Sequence, residues 1–360
     1  MKIGIGILAW NESGSIEATI SSIFDQSLME ELGQTIDLLE VLCVPNGCTD
    51  DTAEVAESAF NQLGGSFDSS LLQTRVVPVE KPSKENAWNV FVHELSHREC
   101  DYLILVDGDV RILHPDTLKN LVVALENDAE ARIAGAATVK HITYKRWKSP
   151  FDLLSLAVSG LRHQRRGGFA GALYCARAKA LRAFILPSIL VGEDSFINAM
   201  IGTDYFTNRG KPTRTIQPEN ATVLFEAYTA PLSVLKNLRR RGVEIAIDSM
   251  IYDVLWSQST PEKHGGALLR EWESEDLGWG SRLVEEKIKE RGWWVMPRGM
   301  LWKWFKRAWE VGGLRRWKMM PIAVIATLPH IYACCAANRL IRRRAVGNLW
   351  FETETTSLNS

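Results

Sequence analysis

Two carboxylates that directly follow an apolar run are the clearest chemical feature of the sequence. Asp107 and Asp109 flank Gly108, and the preceding run Tyr102–Val106 predicts a buried strand. Carboxylates at the carboxyl end of a parallel strand face the ligand crevice of an open α/β sheet. Two hard oxygen donors there suit Mg²⁺ or Mn²⁺ bridging a diphosphate, but a solvated acidic turn has the same sequence pattern. These residues alone leave both interpretations open.

Strand-like and helical segments alternate through the first 140 residues. This alternation predicts an α/β fold with a mostly parallel sheet covered on both faces. The loops that begin near Trp10, Pro45, Glu80 and Asp107 should then converge on one site. We predict strands at Lys2–Ala9, Leu39–Val44, Arg75–Val79, Tyr102–Val106 and Arg132–Val139. A first helix is predicted from Ile16, Ile20, Ile23 and Phe24, which fall on one helical face behind Ser13 as its cap. Further helices are predicted at Thr49–Asn61, Lys84–His97 and Pro115–Glu126.

Eight short segments follow one another in an order that is typical of one protein family. They are Ile7–Glu12, Asn46–Thr52, Lys84–Asn89, Asp107–Asp109, His114–Leu118, Gly168–Leu173, Gly192–Asp194 and Leu238–Gly242. Each segment is a loose motif by itself, but the ordered set resembles the glycosyltransferase family 2 proteins over roughly residues 3 to 250. The resemblance implies the GT-A fold, which binds nucleotide sugars.

The resemblance also implies roles for individual residues. Asp109, assisted by Asp107, would hold the divalent cation against the diphosphate of the donor. Asp194 would be the general base that activates the acceptor hydroxyl, with Glu193 as its neighbour or substitute. The sugar would be transferred with inversion in one in-line displacement. Residues expected to contact the nucleotide sugar are Ala9, Asn11, Glu12, Asn46, Lys84, Asn89, Asp107, Arg239, Arg240 and Arg241.

Two parts of the sequence, a run of three arginines and a proline, leave some of these roles open. Arg239–Arg241 have the geometry to pair with phosphate oxygens, but a solvated or membrane-facing basic patch has the same composition. Pro45 stands where the family usually has an acidic residue that contacts the nucleotide base. Asn46 can take over part of that contact, and we favour UDP over GDP as the donor nucleotide.

Two other functions compete with glycosyl transfer. His93, Glu94 and His97 form an H-E-x-x-H pattern, which would make the protein a zinc metalloprotease if the histidines shared a helix face. A third zinc ligand is not recognisable in the sequence. The alternative without catalysis is a membrane protein that binds sugar nucleotides but is inactive, although the retention of Asp109 and Asp194 argues against it.

Composition indicates a folded globular chain and excludes collagen-like, disordered and disulfide-scaffold classes. The 360 residues are 46% hydrophobic and 24% charged. The six cysteines lack C-x-x-C spacing, and no secretory signal precedes the first apolar run, so we expect a reducing compartment. The net charge of -1 hides a split, because residues 291–360 carry 12 Lys/Arg and 3 Asp/Glu while residues 1–290 carry 30 and 40.

The basic C-terminal part predicts contact with a membrane rather than with nucleic acid. Six tryptophans interleave with eight Lys/Arg between Arg291 and Lys318, a pattern typical of the headgroup region. Met319–Ala337 follows and is apolar except for His330, but two prolines interrupt it and both flanks are basic. We expect a peripheral, re-entrant or single-span attachment at the cytoplasmic side of the membrane, where a lipid-linked or glycan acceptor in polysaccharide or glycolipid synthesis would be found.

These patterns divide the chain into four parts. We predict a GT-A catalytic domain at residues 1–250, a helical connector at 251–290, Trp/Arg-rich membrane-associated helices at 291–345 and a flexible tail at 346–360.

Overall fold

A computed structural model describes residues 1–160, 168–228, 230–310, 313 and 315–344. Over this part of the chain, seven strands form one sheet in the order β3-β2-β1-β4-β8-β6-β9, and three form a small second sheet in the order β5-β10-β7. The strands are β1 (Lys2–Ala9), β2 (Leu38–Pro45), β3 (Leu72–Val76), β4 (Tyr102–Asp107), β5 (Val110–Ile112), β6 (Ile133–Gly135), β7 (Ala137–Lys140), β8 (Leu173–Arg177), β9 (Thr215–Ile216) and β10 (Thr222–Phe225).

The large sheet is mostly parallel, as the sequence predicts. β1 pairs in parallel with β2 and β4, β2 with β3, and β6 with β9, whereas β8 runs antiparallel to both of its neighbours. In this register Ala9 lies beside Pro45 and Leu8 beside Asp107. The ends of three adjacent strands therefore meet at one edge, where ligands of such sheets bind.

Helices cover the sheet on both sides and continue into a helical C-terminal part. They are α1 (Ile16–Phe24), α2 (Thr52–Gly64), α3 (Lys84–Val90), α4 (Thr117–Asn127), α5 (Pro150–Gly160), α6 (Ala178–Leu181), α7 (Glu193–Gly202), α8 (Pro231–Gln258), α9 (Gly265–Glu275), α10 (Trp279–Arg291), α11 (Lys303–Glu310) and α12 (Arg315–Arg342). A π-helical turn, Phe91–Leu95, extends α3. Short 3₁₀ turns lie at Ser27–Glu31, His141–Thr143, Pro212–Arg214 and Met300–Trp302.

The core lies on the two faces of the large sheet because side chains alternate along each strand. Ile5 and Ile104 face a cluster with α1, α2 and α4. Leu103 faces the opposite cluster, which continues through Met250 of α8 to Ile341 of α12. The C-terminal helices are therefore packed into the same core as the sheet.

Several predicted boundaries differ from those of the structure. β3 begins three residues earlier than predicted, and the predicted strand Arg132–Val139 divides at Ala136 into β6 and β7 of different sheets. The predicted domain limit at residue 250 falls inside α8, which continues without a break to Gln258. The predicted tail at 346–360 lies outside the described residues.

α12 is a continuous helix through Pro321 and Pro329. Within the described residues, the segment Arg316–Arg342 is long and apolar enough to cross a membrane, and 33% of its most apolar stretch is buried. One face packs against α8 and α11. The opposite face leaves large apolar side chains exposed, with Leu328 at 70% and Tyr332 at 61%.

Candidate active site

The acidic turn Asp107–Asp109 connects β4 to β5 and is held tightly against β1. The Gly108 amide donates to the Leu8 carbonyl at 2.9 Å. A Cβ at Gly108 would lie 2.9 Å from the Ala9 Cβ, closer than real Cβ atoms pack, so only glycine fits between the two aspartates. The Thr19 hydroxyl lies 2.9 Å from the Gly108 carbonyl and 2.7 Å from that of Val110, which ties the turn to α1.

Lys84 joins the acidic turn to the start of α7. Its Nζ lies 2.6 Å from Asp107 Oδ1 and 2.5 Å from Glu193 Oε1. Ser83 caps α3, since its hydroxyl accepts from the Asn86 amide at 3.1 Å, and the cap fixes where the lysine emerges. These contacts bring together the end of β4, the start of α3 and the start of α7. The three positions are far apart in sequence.

The carboxylates around Lys84 have strongly perturbed acidity. Burial raises the pKa of Asp107 to about 7, against the opposing charge of Lys84. Burial and the neighbouring charge of Asp109 raise the pKa of Glu12 to about 8, and burial raises the pKa of Asp109 above its usual value. Burial also acts on Glu193, but the ion pair with Lys84 outweighs it and lowers the pKa of that carboxyl. Like charges crowd the Asp107–Asp109 side of the site, which is the electrostatic condition that a cation relieves.

Hydrogen bonds join the loops that follow β1 and β2, which carry residues predicted to contact the nucleotide. Asn11 has a φ of 55°, and its Oδ1 accepts from the Thr49 amide at 2.8 Å. The Glu12 amide donates to the Thr52 hydroxyl at 2.8 Å. Asn46 is buried and donates through Nδ2 to the Ala9 carbonyl at 2.7 Å. The two loops form one wall of the crevice beside the acidic turn.

Glu193 and Asp194 open α7 on the opposite side of the crevice. Glu193 is buried in its ion pair, whereas Asp194 is half-buried and its Oδ1 accepts from the Ser195 amide at 2.7 Å. A Cβ at Gly171 would lie 2.8 Å from Glu193 Oε1 and 3.3 Å from the Asp194 Cβ, so the glycine-rich segment passes directly over both carboxylates.

A buried acidic network that sequence reasoning missed lies behind Asp194. The Ser195 hydroxyl is 2.7 Å from Asp248 Oδ2 and 3.2 Å from Glu244 Oε1, and the Tyr252 hydroxyl lies 3.4 Å from Asp248 Oδ2. Burial raises the pKa of Asp248 well above its ordinary value, and the charge of Glu244 adds to the effect. The signal in the sequence is a pair of acids one helical turn apart, Glu244 and Asp248, among the apolar positions of α8.

The remaining predicted contacts have different surroundings. Asn89 exchanges two 2.8 Å hydrogen bonds with the Leu186 backbone, so its amide anchors α3 to the neighbouring loop. Arg239, Arg240 and Arg241 lie on α8, and Arg240 is buried and donates to the Val191 carbonyl at 3.2 Å. Burial raises the pKa of Tyr228, on which the charges of Arg240, Asp109 and Arg241 also act, so α8 faces the acidic turn across this tyrosine.

The H-E-x-x-H pattern does not form a zinc-binding helix face. The π-turn ends at Leu95, and Ser96 is extended, so His97 lies outside the helix that carries His93. His93 Nε2 is 2.9 Å from the Phe184 carbonyl, and burial lowers the pKa of this histidine to about 4. No three His, Cys, Asp or Glu side chains of the described residues converge as a metal-binding group.

An open parallel sheet with an acidic turn at the end of a central strand, facing carboxylates across a crevice, is the architecture of GT-A glycosyltransferases. Residues 5–188, just over half of the chain, match the family described as Glycosyl transferase family 2. The chain therefore belongs to glycosyl transferase family 2, and the protein is a glycosyltransferase, as the sequence predicts.

Solved structures are similar to the chain at low sequence identity. The mannosyltransferase PcManGT from Pyrobaculum calidifontis, in complex with GDP-Man and Mn²⁺, is 17% identical with a TM-score of 0.51 and covers 97% of this chain and 87% of its own. Glucosyl-3-phosphoglycerate synthase from Mycobacterium tuberculosis, in complex with Mg²⁺ and UDP, is 19% identical with a TM-score of 0.43, over 70% of this chain and 79% of its own. No curated protein matches the chain.

Proposed function

We propose that the protein transfers a sugar, with inversion, from a nucleoside diphosphate sugar to a lipid-linked or glycan acceptor at a membrane surface. The observation that carries this proposal is the Lys84 bridge, which joins Asp107 of the acidic turn to Glu193 at the start of α7. We infer that the acidic turn of this cluster binds the cation and the diphosphate, and that the start of α7 faces the acceptor hydroxyl. We keep UDP as the favoured nucleotide and GDP as the alternative to test.

Asp107 and Asp109 fit a divalent cation by the chemistry of their oxygen donors. Magnesium and manganese are commonly held by one or two carboxylates, with phosphate oxygens and water completing the coordination. The raised pKa values of both aspartates indicate negative charge that the protein alone leaves incompletely balanced. A bound cation would supply charge neutralisation for the departing diphosphate. Lys84 is positioned to orient the turn through its ion pair with Asp107.

Asp194 is our proposed general base. It would accept the proton of the acceptor hydroxyl while the hydroxyl oxygen forms a bond to the anomeric carbon and the bond from that carbon to the diphosphate breaks. Its partial exposure supports this role, since a reacting acceptor must reach the carboxylate. Glu193 is buried and already paired with Lys84, so we assign it the positioning of Lys84 rather than proton transfer.

Membrane attachment is supported by the exposed face of α12. Leu328 and Tyr332 lie on that face, and Trp309 and Trp317 are exposed near its beginning. Because the opposite face is packed on α8 and α11, attachment by the exposed face is favoured over passage of an isolated helix through the bilayer. The acceptor would then be presented at the membrane surface.

Release of nucleoside diphosphate from a panel of UDP- and GDP-sugars tests the proposal. Membranes containing the wild type, Asp109→Ala, Asp194→Ala or the surface control Glu126→Gln would be assayed with Mn²⁺ and with EDTA. We expect release from one donor class that requires the cation, falls at least about 100-fold in Asp109→Ala and Asp194→Ala, and is unchanged in Glu126→Gln.

Two outcomes would contradict the assignment. Turnover that is indifferent to EDTA and to Asp109→Ala would exclude a cation at the acidic turn. Binding of a sugar nucleotide without turnover of any donor would instead support the inactive, binding-only alternative.

A further inference from the structure

A basic cavity lies between α8, α11 and α12, apart from the acidic turn. Its volume is about 150 Å³, and the residues that line it include Arg241, Lys303, Trp304, Arg307 and His330. Among the described residues of this lining, three are permanent cations and none is acidic. A cavity with this lining attracts an anion.

Two buried donor groups on residues that line the cavity have no hydrogen-bond partner among the described residues. They are the indole N–H of Trp304, a residue that is 3% exposed, and the Nε of Arg241. Native proteins almost always supply a partner for such donors, because an unsatisfied buried donor destabilises the fold.

The chemistry and size of the cavity favour a phosphate group. Guanidinium and ammonium groups bind phosphate oxygens through charge-assisted hydrogen bonds, and Arg241 and Arg307 both line the cavity. The cavity volume of about 150 Å³ accommodates a group of five heavy atoms. His330 donates its ring N–H to the Met300 carbonyl at 2.9 Å, when Nε2 carries the proton, and so serves as a neutral wall.

The surroundings of the cavity indicate which kind of molecule would carry the phosphate group. α11 and α12 also carry the exposed apolar and tryptophan side chains, including Trp309 and Leu328. Arg241 lies on α8 one helical turn before Glu244, whose Oε1 is 3.2 Å from the Ser195 hydroxyl, so α8 connects the cavity to the proposed active site. We propose that this cavity binds a phosphate monoester or diester, most directly as the headgroup of an anionic lipid. This inference rests on the membrane attachment in the proposed function.

The test is a binding measurement on the purified full-length protein. Binding would be measured to nanodiscs of phosphatidylcholine with and without phosphatidic acid, and in detergent to inorganic phosphate and glycerol 3-phosphate. The variants are Lys303→Gln, Arg307→Gln and Trp304→Phe, which keeps the ring but removes the N–H. Lys306→Gln is the matched control, since Lys306 lies on α11, is exposed and does not line the cavity.

We expect the cavity variants to weaken binding of phosphatidic acid at least about fivefold while Lys306→Gln changes it less than twofold. The same selective loss for the soluble phosphates alone would also support the cavity, with a soluble ligand as its source. Equal losses in all four variants, or no phosphate-dependent binding in the wild type, would overturn the inference. Because binding is measured without sugar transfer, a failure here is distinguishable from a failure of the donor assay.

Discussion

Lys84 is the residue on which the geometry of the crevice depends. It is 17% exposed and balances the carboxylates of Asp107, which is 25% exposed, and of Glu193, which is 6% exposed. Breaking a buried ion pair by removing one partner is costly because the other partner keeps its desolvation penalty. The lysine therefore affects both the stability of the fold and the spacing of the two sides of the site.

We predict that Lys84→Met lowers the free energy of unfolding by about 3 kcal/mol, because the buried Glu193 and the partly buried Asp107 lose their counter-charge. Urea denaturation measures this loss. Adding Glu193→Gln to Lys84→Met should recover about 1 kcal/mol or more, since one of the stranded charges is then removed. Equal stability of the wild type and Lys84→Met would mean that the bridge does not form in solution.

Asp248 gives a prediction about pH. An aspartate whose pKa is raised in the folded state binds a proton that the unfolded state has released, so stability falls as pH rises between the two pKa values. Asp248→Asn removes this loss because asparagine is neutral at every pH. We expect the stability of the variant relative to the wild type to increase by about 1 kcal/mol or more from pH 5 to pH 7.

Chemical denaturation of both proteins at each pH measures the difference, and the comparison cancels the titrating groups that do not interact with Asp248. A difference that stays constant over this range would show that Asp248 is ionised when folded.

The acidic turn can be predicted from the sequence, but the contacts that surround it cannot. Asp107 and Asp109 are recognisable because they directly follow a strand of uninterrupted apolar residues. The ion pair between Lys84 and Glu193 joins residues more than a hundred positions apart, and no local pattern encodes that distance. For the same reason the role of Asn89, which binds the Leu186 backbone, was not predictable.

At the scale of elements, the contact between α8 and α12 depends on Gly242. A Cβ at this position would lie 2.9 Å from the Ala337 Cβ, so the two helices approach each other where α8 has no side chain. Replacing a helical glycine by alanine ordinarily stabilises a helix by up to about 1 kcal/mol. Steric overlap reverses that sign when no room is available.

We predict that Gly242→Ala lowers the free energy of unfolding by about 1 kcal/mol, because α12 must move away from α8. Gly202→Ala is the matched control, since nothing lies within 4 Å of a Cβ there and α7 ends at that residue. Thermal and urea unfolding of both variants measure the effect. A stabilisation by Gly242→Ala would indicate that α8 and α12 are not in close contact.

The predicted bounds of strands and helices agree best with the structure where one type of interaction determines the element. β1 has the predicted bounds because each of its apolar residues is buried between two neighbouring strands. β3 was displaced because it lies at the sheet edge, where polar and apolar residues alternate weakly. α12 continues through two prolines that were expected to interrupt it, since packing against α8 and α11 compensates for the lost hydrogen bonds.

At the scale of the whole molecule, the charge split and the exposed apolar face of α12 belong to the same part of the chain. Residues 291–360 carry 12 Lys/Arg and 3 Asp/Glu. Basic residues attract anionic lipids, and exposed apolar side chains then enter the headgroup region. In the proposed membrane attachment the two features contribute separately, so each should be separable by experiment.

We predict that Leu328→Glu at least halves the fraction of protein that co-sediments with vesicles of phosphatidylcholine and phosphatidylglycerol. The reason is the cost of placing a carboxylate among acyl chains. Val123→Glu is the control, because this exposed residue lies on α4, outside the basic part of the chain. If both variants co-sediment as the wild type does, the exposed face of α12 does not contact lipid.

The hydroxyl of Thr19 has a consequence for how fast and how tightly a ligand can be captured. It lies within hydrogen-bond distance of the carbonyls of Gly108 and Val110, on either side of Asp109. The backbone of the acidic turn is therefore ordered by folding itself, and a ligand does not have to immobilise it on arrival. Preorganisation of this kind removes an entropic penalty from binding, so even an otherwise weak set of contacts can retain a charged ligand.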